Sequence, residues 1–91
     1  MPDIKAIGIF ETKGFIPLVE GADAATKAAN VDIVEWRQIG SGFVSFVVEG
    51  EVAAVRSALE AARVAASAVG EVAAETIIPR PVDELRTTFK K

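Results

Sequence analysis

The residues of this chain that could do chemistry are mostly carboxylates, because the sequence contains no histidine and no cysteine. The missing histidine removes the commonest general base and the commonest metal ligand, and the missing cysteine removes thiol nucleophiles and disulfides. Glu11, Glu20, Asp23, Glu35 and Glu49 lie on or near predicted strands, where a close pair could act as acid and base. No histidine or metal-binding motif accompanies them, so we expect no catalysis, no cofactor and no metal site.

The tripeptide Gly40-Ser41-Gly42 is the second chemically suggestive feature. Taken by itself it predicts a flexible hairpin turn, since glycine and serine are common in turns.

Composition limits the kinds of partner. The chain has 91 residues, of which 51% are hydrophobic, and a net charge of -3. A single domain this small has a high surface-to-volume ratio, so we expect the excess apolar surface to be buried between subunits. The acidic balance argues against nucleic acid. No run of about 18 apolar residues and no secretory signal is present, which predicts a cytoplasmic protein that does not span a membrane.

Hydrophobic periodicity and turn residues predict the order β-α-β-β-α-β. The predicted strands are residues 4–12, 32–39, 43–48 and 72–78, and the predicted helices are residues 16–30 and 50–70. With right-handed crossovers this order gives a ferredoxin-like α+β fold, a four-stranded antiparallel sheet with both helices on one face. Residues 4–82 would form the core of one domain spanning 1–91, and the tail of residues 83–91 would include a short helix.

Three local predictions follow from the same patterns. Asn30 is expected to end the first helix in a left-handed conformation. In the second strand, alternation points Trp36 to the same face as Val34 and Gln38, opposite to the other residues. The second helix should bury a stripe at spacings of three and four, formed by Val52, Val55, Leu59, Ala62 and Ala66.

Four strings within residues 4–82 resemble the hexameric shell proteins of bacterial microcompartments. They are GIFETKGF at residues 8–15, EGADAATKAANV at 20–31, IGSG at 39–42 and IIPRP at 77–81. They occur in the family's order and spacing. The resemblance implies a cyclic hexamer with a central pore that admits small polar metabolites. Such hexamers tile edge to edge, with other shell proteins, into a microcompartment shell that encloses enzymes.

The resemblance also assigns residues to two tasks. It implies that the pore is lined by Gln38, Ile39, Gly40, Ser41 and Gly42, with Ser41 setting its width and polarity. It implies that the following residues join neighbouring hexamers: Lys27, Asn30, Pro79, Arg80 and Pro81.

Near the pore loop the sequence differs from the one that is common in the family. Gln38 stands where many members have lysine, Arg37 where glutamate is common, and Trp36 where tyrosine is frequent. Pore selectivity therefore cannot be transferred from a relative.

Two other functions share this fold. A regulatory module that binds a small molecule would form a dimer or trimer and bind one ligand saturably, but no glycine-rich phosphate loop supports it. An acylphosphatase-like hydrolase would need an arginine in a phosphate-cradling loop after the first strand, and residues 11–15 offer only Lys13.

Overall fold

A computed structural model describes residues 5–79. It contains a four-stranded sheet in the order β2-β3-β1-β4, in which every adjacent pair is antiparallel. The elements are β1 Ala6–Lys13, α1 Phe15–Ala28, β2 Asp32–Gly40, β3 Phe43–Gly50, α2 Val52–Ser67 and β4 Glu71–Ile78. The ferredoxin-like fold predicted from the sequence is therefore confirmed. The predicted tail and its short helix lie outside the described residues.

One face of the sheet carries the core. On β1 every second residue is buried, ending with Phe10 and Thr12, both fully buried. Phe10 lies opposite Phe46 of β3, and their ring centroids are 5.3 Å apart. This alternation is what a strand requires when only one of its faces is covered.

Both helices pack on that face at close range, because the chain has glycine where they approach. A Cβ added at Gly8 of β1 would lie 2.7 Å from Val55 Cγ1 of α2. A Cβ added at Gly21 of α1 would lie 3.0 Å from the Phe10 ring and 3.4 Å from the carbonyl oxygen of Ala62 in α2. Small residues thus allow each helix to contact the sheet and the other helix.

In α2 the predicted stripe is confirmed except at its first residue. Val55, Leu59, Ala62 and Ala66 are buried, together with Ala58. Val52 is 38% exposed, so its assignment to the core is wrong. It is the first residue of the helix, one turn before the buried series begins.

The prediction that Asn30 ends α1 is also wrong. The helix stops at Ala28, and Ala29 caps it in an extended conformation. Among the described residues, Ser41 alone combines a side chain with a positive φ, so Asn30 does not adopt the left-handed conformation. None of the helices in residues 5–79 is long and apolar enough to cross a membrane.

The face assignment along β2 is corrected by a β-bulge. Ile33 lies opposite Val48, but the register shifts before Glu35, so that Trp36 lies opposite Phe46. Residues opposite each other share a face, so Ile33 and Trp36 both lie on the helix side of the sheet. One extra residue in a strand reverses the alternation beyond it.

Candidate pore loop and assembly edge

The hairpin between β2 and β3 forms the candidate pore loop, residues 38–42. Its last three residues have positive φ values, 120° at Gly40, 55° at Ser41 and 85° at Gly42. Glycine adopts such angles easily because it has no Cβ, whereas Ser41 occupies the left-handed region with a side chain. A Cβ added at Gly40 or Gly42 would meet no atom within 4 Å. Within one chain, backbone conformation rather than space therefore requires glycine here.

One hydrogen bond ties this loop to the turn between β1 and α1, and a second bond holds that turn together. The amide N–H of Gly14 donates to the carbonyl oxygen of Gly42 at 2.7 Å. The hydroxyl of Thr12, a fully buried residue, donates to the carbonyl oxygen of Gly14 at 2.8 Å. Gly14 itself has a φ of 91°. Thr12 and Gly14 thus position the loop through its last residue.

Sequence reasoning missed this connection. The available signal was a threonine two residues before glycine at the end of a strand, a spacing at which a threonine hydroxyl often bonds to nearby backbone. The pattern gives no hint that the same glycine contacts a distant hairpin.

The loop borders an open groove with a volume of about 390 Å³, lined by residues 38–44. None of these seven residues is ionisable. Gln38 and Ser41 contribute polar side chains and are exposed. The groove can therefore offer hydrogen bonds to a solute but no formal charge of its own.

The charged residues beside the groove have neighbours of opposite charge. Arg37 Nε donates to Glu35 Oε2 at 2.9 Å, and its Nη2 contacts the same oxygen. Lys13 lies beside Phe43 on one side and opposite Glu71 on the other. Arg37 is thus ion-paired within the chain, and Lys13 has an acidic residue opposite it in the sheet.

The predicted edge residues are found around the end of α1 and the end of β4. Lys27 lies in the last turn of α1, is 75% exposed, and pairs with Asp23 at 3.0 Å. Asn30 and Pro79 are exposed. Arg80 and Pro81 lie outside the described residues.

The loop and the edge residues lie at opposite ends of the sheet. At one end of β1, Ala6 pairs with Gly50, where an added Cβ would lie 3.2 Å from the carbonyl oxygen of Asn30. Ile7 pairs with Ile78, the neighbour of Pro79. The other end of β1 leads into the turn that holds the loop. Seven residue steps of strand separate the two ends, or about 23 Å.

Large apolar side chains are exposed on several elements, and β2 and α1 carry three each. On β2 they are Val34, Trp36 and Ile39, and on α1 they are Phe15, Ile16 and Val19. Trp36 is 51% exposed although its ring centroid lies 5.8 Å from that of Phe46. Apolar surface of this kind usually marks contact with another protein.

Comparison with known proteins gives a consistent result. Residues 6–81 match the family model of the BMC domain. The chain is 45% identical over 87 residues to the bacterial microcompartment shell protein PduA of Citrobacter freundii. That alignment covers 96% of this chain and 94% of PduA. The chain is 41% identical over 86 residues to the bacterial microcompartment shell protein EutM of Escherichia coli K12, covering 94% of this chain and 89% of that protein.

A solved structure is similar as well. A microcompartment protein from Desulfitobacterium hafniense superposes with a TM-score of 0.80 at 37% identity. The match covers 96% of this chain, which spans about half (49%) of the length of that protein.

Proposed function

Because the chain belongs to the BMC domain family and is a structural protein of bacterial microcompartment shells, we propose that six copies close into a ring around the pore loop. In such a ring, each contact between neighbouring copies joins two different surfaces, one from each copy. The exposed apolar residues of β2 and of α1 supply two such surfaces.

The observation that carries this proposal is the separation of the loop from the edge residues. The loop lies at one end of the sheet, and Asn30 and Pro79 lie at the other. A subunit that points its loop toward a six-fold axis turns the opposite end outward. That end is then free to meet the next ring.

At the outer end, Lys27 and Asn30 contact the neighbouring ring together with Pro79, Arg80 and Pro81. Two lysines can meet across a two-fold seam when their ammonium groups bond to backbone carbonyls and their apolar stems pack. An arginine fixed between two prolines suits the same carbonyls, because its planar guanidinium has five donors.

At the inner end, the ring opening passes small polar metabolites between the surroundings and enzymes enclosed by the shell. Ser41 hydroxyls and backbone amides line the opening and replace part of a polar solute's hydration. An apolar solute gains no such compensation.

The protein does not itself catalyse a reaction. Of the carboxylates considered above, Glu35 is engaged by Arg37 and Asp23 by Lys27. Both carboxylates are thus used in ion pairs between residues of one element.

Negative-stain electron microscopy over a range of protein concentrations tests this function, with native mass spectrometry to count subunits. We expect six-fold rings at low concentration and hexagonal sheets or tubes at high concentration. Discrete particles without six-fold symmetry at every concentration would contradict the proposal.

A further inference from the structure

The pore loop differs from its surroundings in having no ionisable side chain across residues 38–44. In a ring, whatever charge one subunit brings to the opening is repeated six times. A single lysine at position 38 would place six positive charges around a narrow axis. This chain has Gln38 there, and its amide is neutral.

Within residues 5–79, the charged residues beside the loop do not replace that lysine. Arg37, which immediately precedes the loop on β2, donates to Glu35 through both Nε and Nη2. Lys13, beside Phe43, has Glu71 directly opposite on β4. The ion pair of Arg37 with Glu35 adds no net charge, and at physiological salt an exposed charge is largely screened beyond about 8 Å. The opening therefore carries little net potential from these residues.

From this arrangement we infer that the opening selects uncharged polar solutes, molecules with hydroxyl or carbonyl groups, over small anions. The inference rests on the proposed function, because it requires that the loop line a pore. A neutral solute loses only part of its hydration on entry. Hydrogen bonds to the loop amides and the Ser41 hydroxyls replace the water that is lost. An anion gives up far more hydration free energy and finds no opposite charge to offset that loss.

The test is conductance through rings inserted in a planar lipid bilayer, after native mass spectrometry has confirmed the hexamer. A potassium chloride gradient gives the chloride-to-potassium permeability ratio from the reversal potential. We expect a ratio within about twofold of unity for the unmodified protein, because residues 38–44 add no charge that favours either ion. Glycerol added on both sides should lower the conductance of the ring by a larger fraction than it lowers the conductivity of the bulk solution, because glycerol enters the opening.

Two variants and one control variant make the charge argument specific. Gln38→Lys should shift the ratio toward chloride by at least about fivefold, since six added charges create a positive field. Glu35→Gln should shift it in the same direction by a smaller factor, because Arg37 loses its partner. Glu51→Gln makes the same charge change just beyond the far end of β3 and should leave the ratio unchanged.

The outcomes separate the two proposals. Two results would overturn the inference about solute class while leaving the pore intact. One is a conducting, unmodified hexamer whose permeability ratio favours chloride by more than about fivefold. The other is a conducting hexamer that excludes glycerol. A hexamer that never conducts contradicts the pore itself, and with it the proposed function. No shift for Gln38→Lys in a conducting ring would show that position 38 lies away from the opening and would also overturn the inference.

Discussion

Gly40 lies in the pore loop with a φ of 120° and with open space where a Cβ would be. Replacing it by alanine adds no clash but forces an L-residue into a region that glycine almost alone occupies. We expect Gly40→Ala to lower the free energy of unfolding by about 1–2 kcal/mol. Urea denaturation at fixed protein concentration measures this, since ring formation makes stability depend on concentration.

Ser41→Ala is the matched control for that substitution. Position 41 already holds a side chain at a φ of 55°, so the change leaves the backbone requirement as it is, and unfolding should shift by less than about 0.5 kcal/mol. Equal stability of Gly40→Ala and the unmodified protein would show that the loop relaxes to another conformation at no cost.

At the outer end of the molecule, Lys27 pairs with Asp23 one turn earlier on the exposed surface of α1. Such a pair contributes only about 0.3–0.5 kcal/mol, so it holds the lysine weakly. We expect Lys27→Ala to leave rings intact and to suppress sheets, because the contact across the seam is lost. Light scattering against protein concentration, checked by negative-stain microscopy, gives the concentration at which sheets appear.

Asp23→Asn separates the two roles of Lys27. It removes the pair within the helix but keeps the lysine available to a neighbouring ring, so sheets should form as in the unmodified protein. Sheets of Lys27→Ala at the unmodified concentration would mean that Lys27 does not lie at the seam.

Among the elements, the turn between β1 and α1 determines where the loop is held. Thr12→Val keeps the shape of the side chain but removes the hydroxyl that donates to the Gly14 carbonyl. We expect stability to fall by about 1 kcal/mol and amide hydrogen exchange across residues 38–44 to accelerate several-fold, because Gly14 no longer holds Gly42 in place. Exchange measured by mass spectrometry on intact rings tests this.

Thr12→Ser restores the hydroxyl and should restore slow exchange in the loop. If Thr12→Val lowers stability while loop exchange stays slow, Thr12 acts only within the core, and the loop is held by other contacts.

The order of elements could be predicted from the sequence because each element carries its own local signal. The alternation of β1 and the three-four spacing of α2 depend on neighbours within a few residues. The bulge in β2 has no such signal. It arises from pairing with β3, and one extra residue places Trp36 on the helix side together with Ile33.

The same limit applies to α1. The spacing puts Ile16, Val19 and Thr26 on one side of the helix together with Ala22 or Asp23. Of these residues only Ala22 is buried, and the buried side also contains Leu18 and Gly21. A pattern of apolar residues indicates that a surface is buried. It does not show whether the same chain or another copy buries that surface. For the pore and the edge, family resemblance indicated the residues, whereas spacing alone indicated only a turn and two exposed cations.

At the scale of the whole molecule, the stability of the ring depends on the surfaces that neighbouring subunits bury. The chain measures 41 × 28 × 15 Å along its principal axes, a flat shape with much surface for its volume. Several large apolar side chains of β2 and α1 remain exposed on it. Burial of a large apolar side chain is worth about 1.5–3 kcal/mol, so a ring that covers several of them gains substantial stability.

Trp36 reports on this contact directly, because it is the chain's single tryptophan and is 51% exposed in one subunit. We expect its fluorescence maximum to move to shorter wavelength as rings form, since association removes water from the indole. Emission spectra recorded across a dilution series, with the assembly state of each sample fixed by size-exclusion chromatography, give the comparison. Lys27→Ala should show the same shift, because that substitution acts between rings and Trp36 within them. An emission maximum that is identical in dissociated subunits and in rings would place β2 outside the subunit contact and leave α1 to form the ring with some other surface.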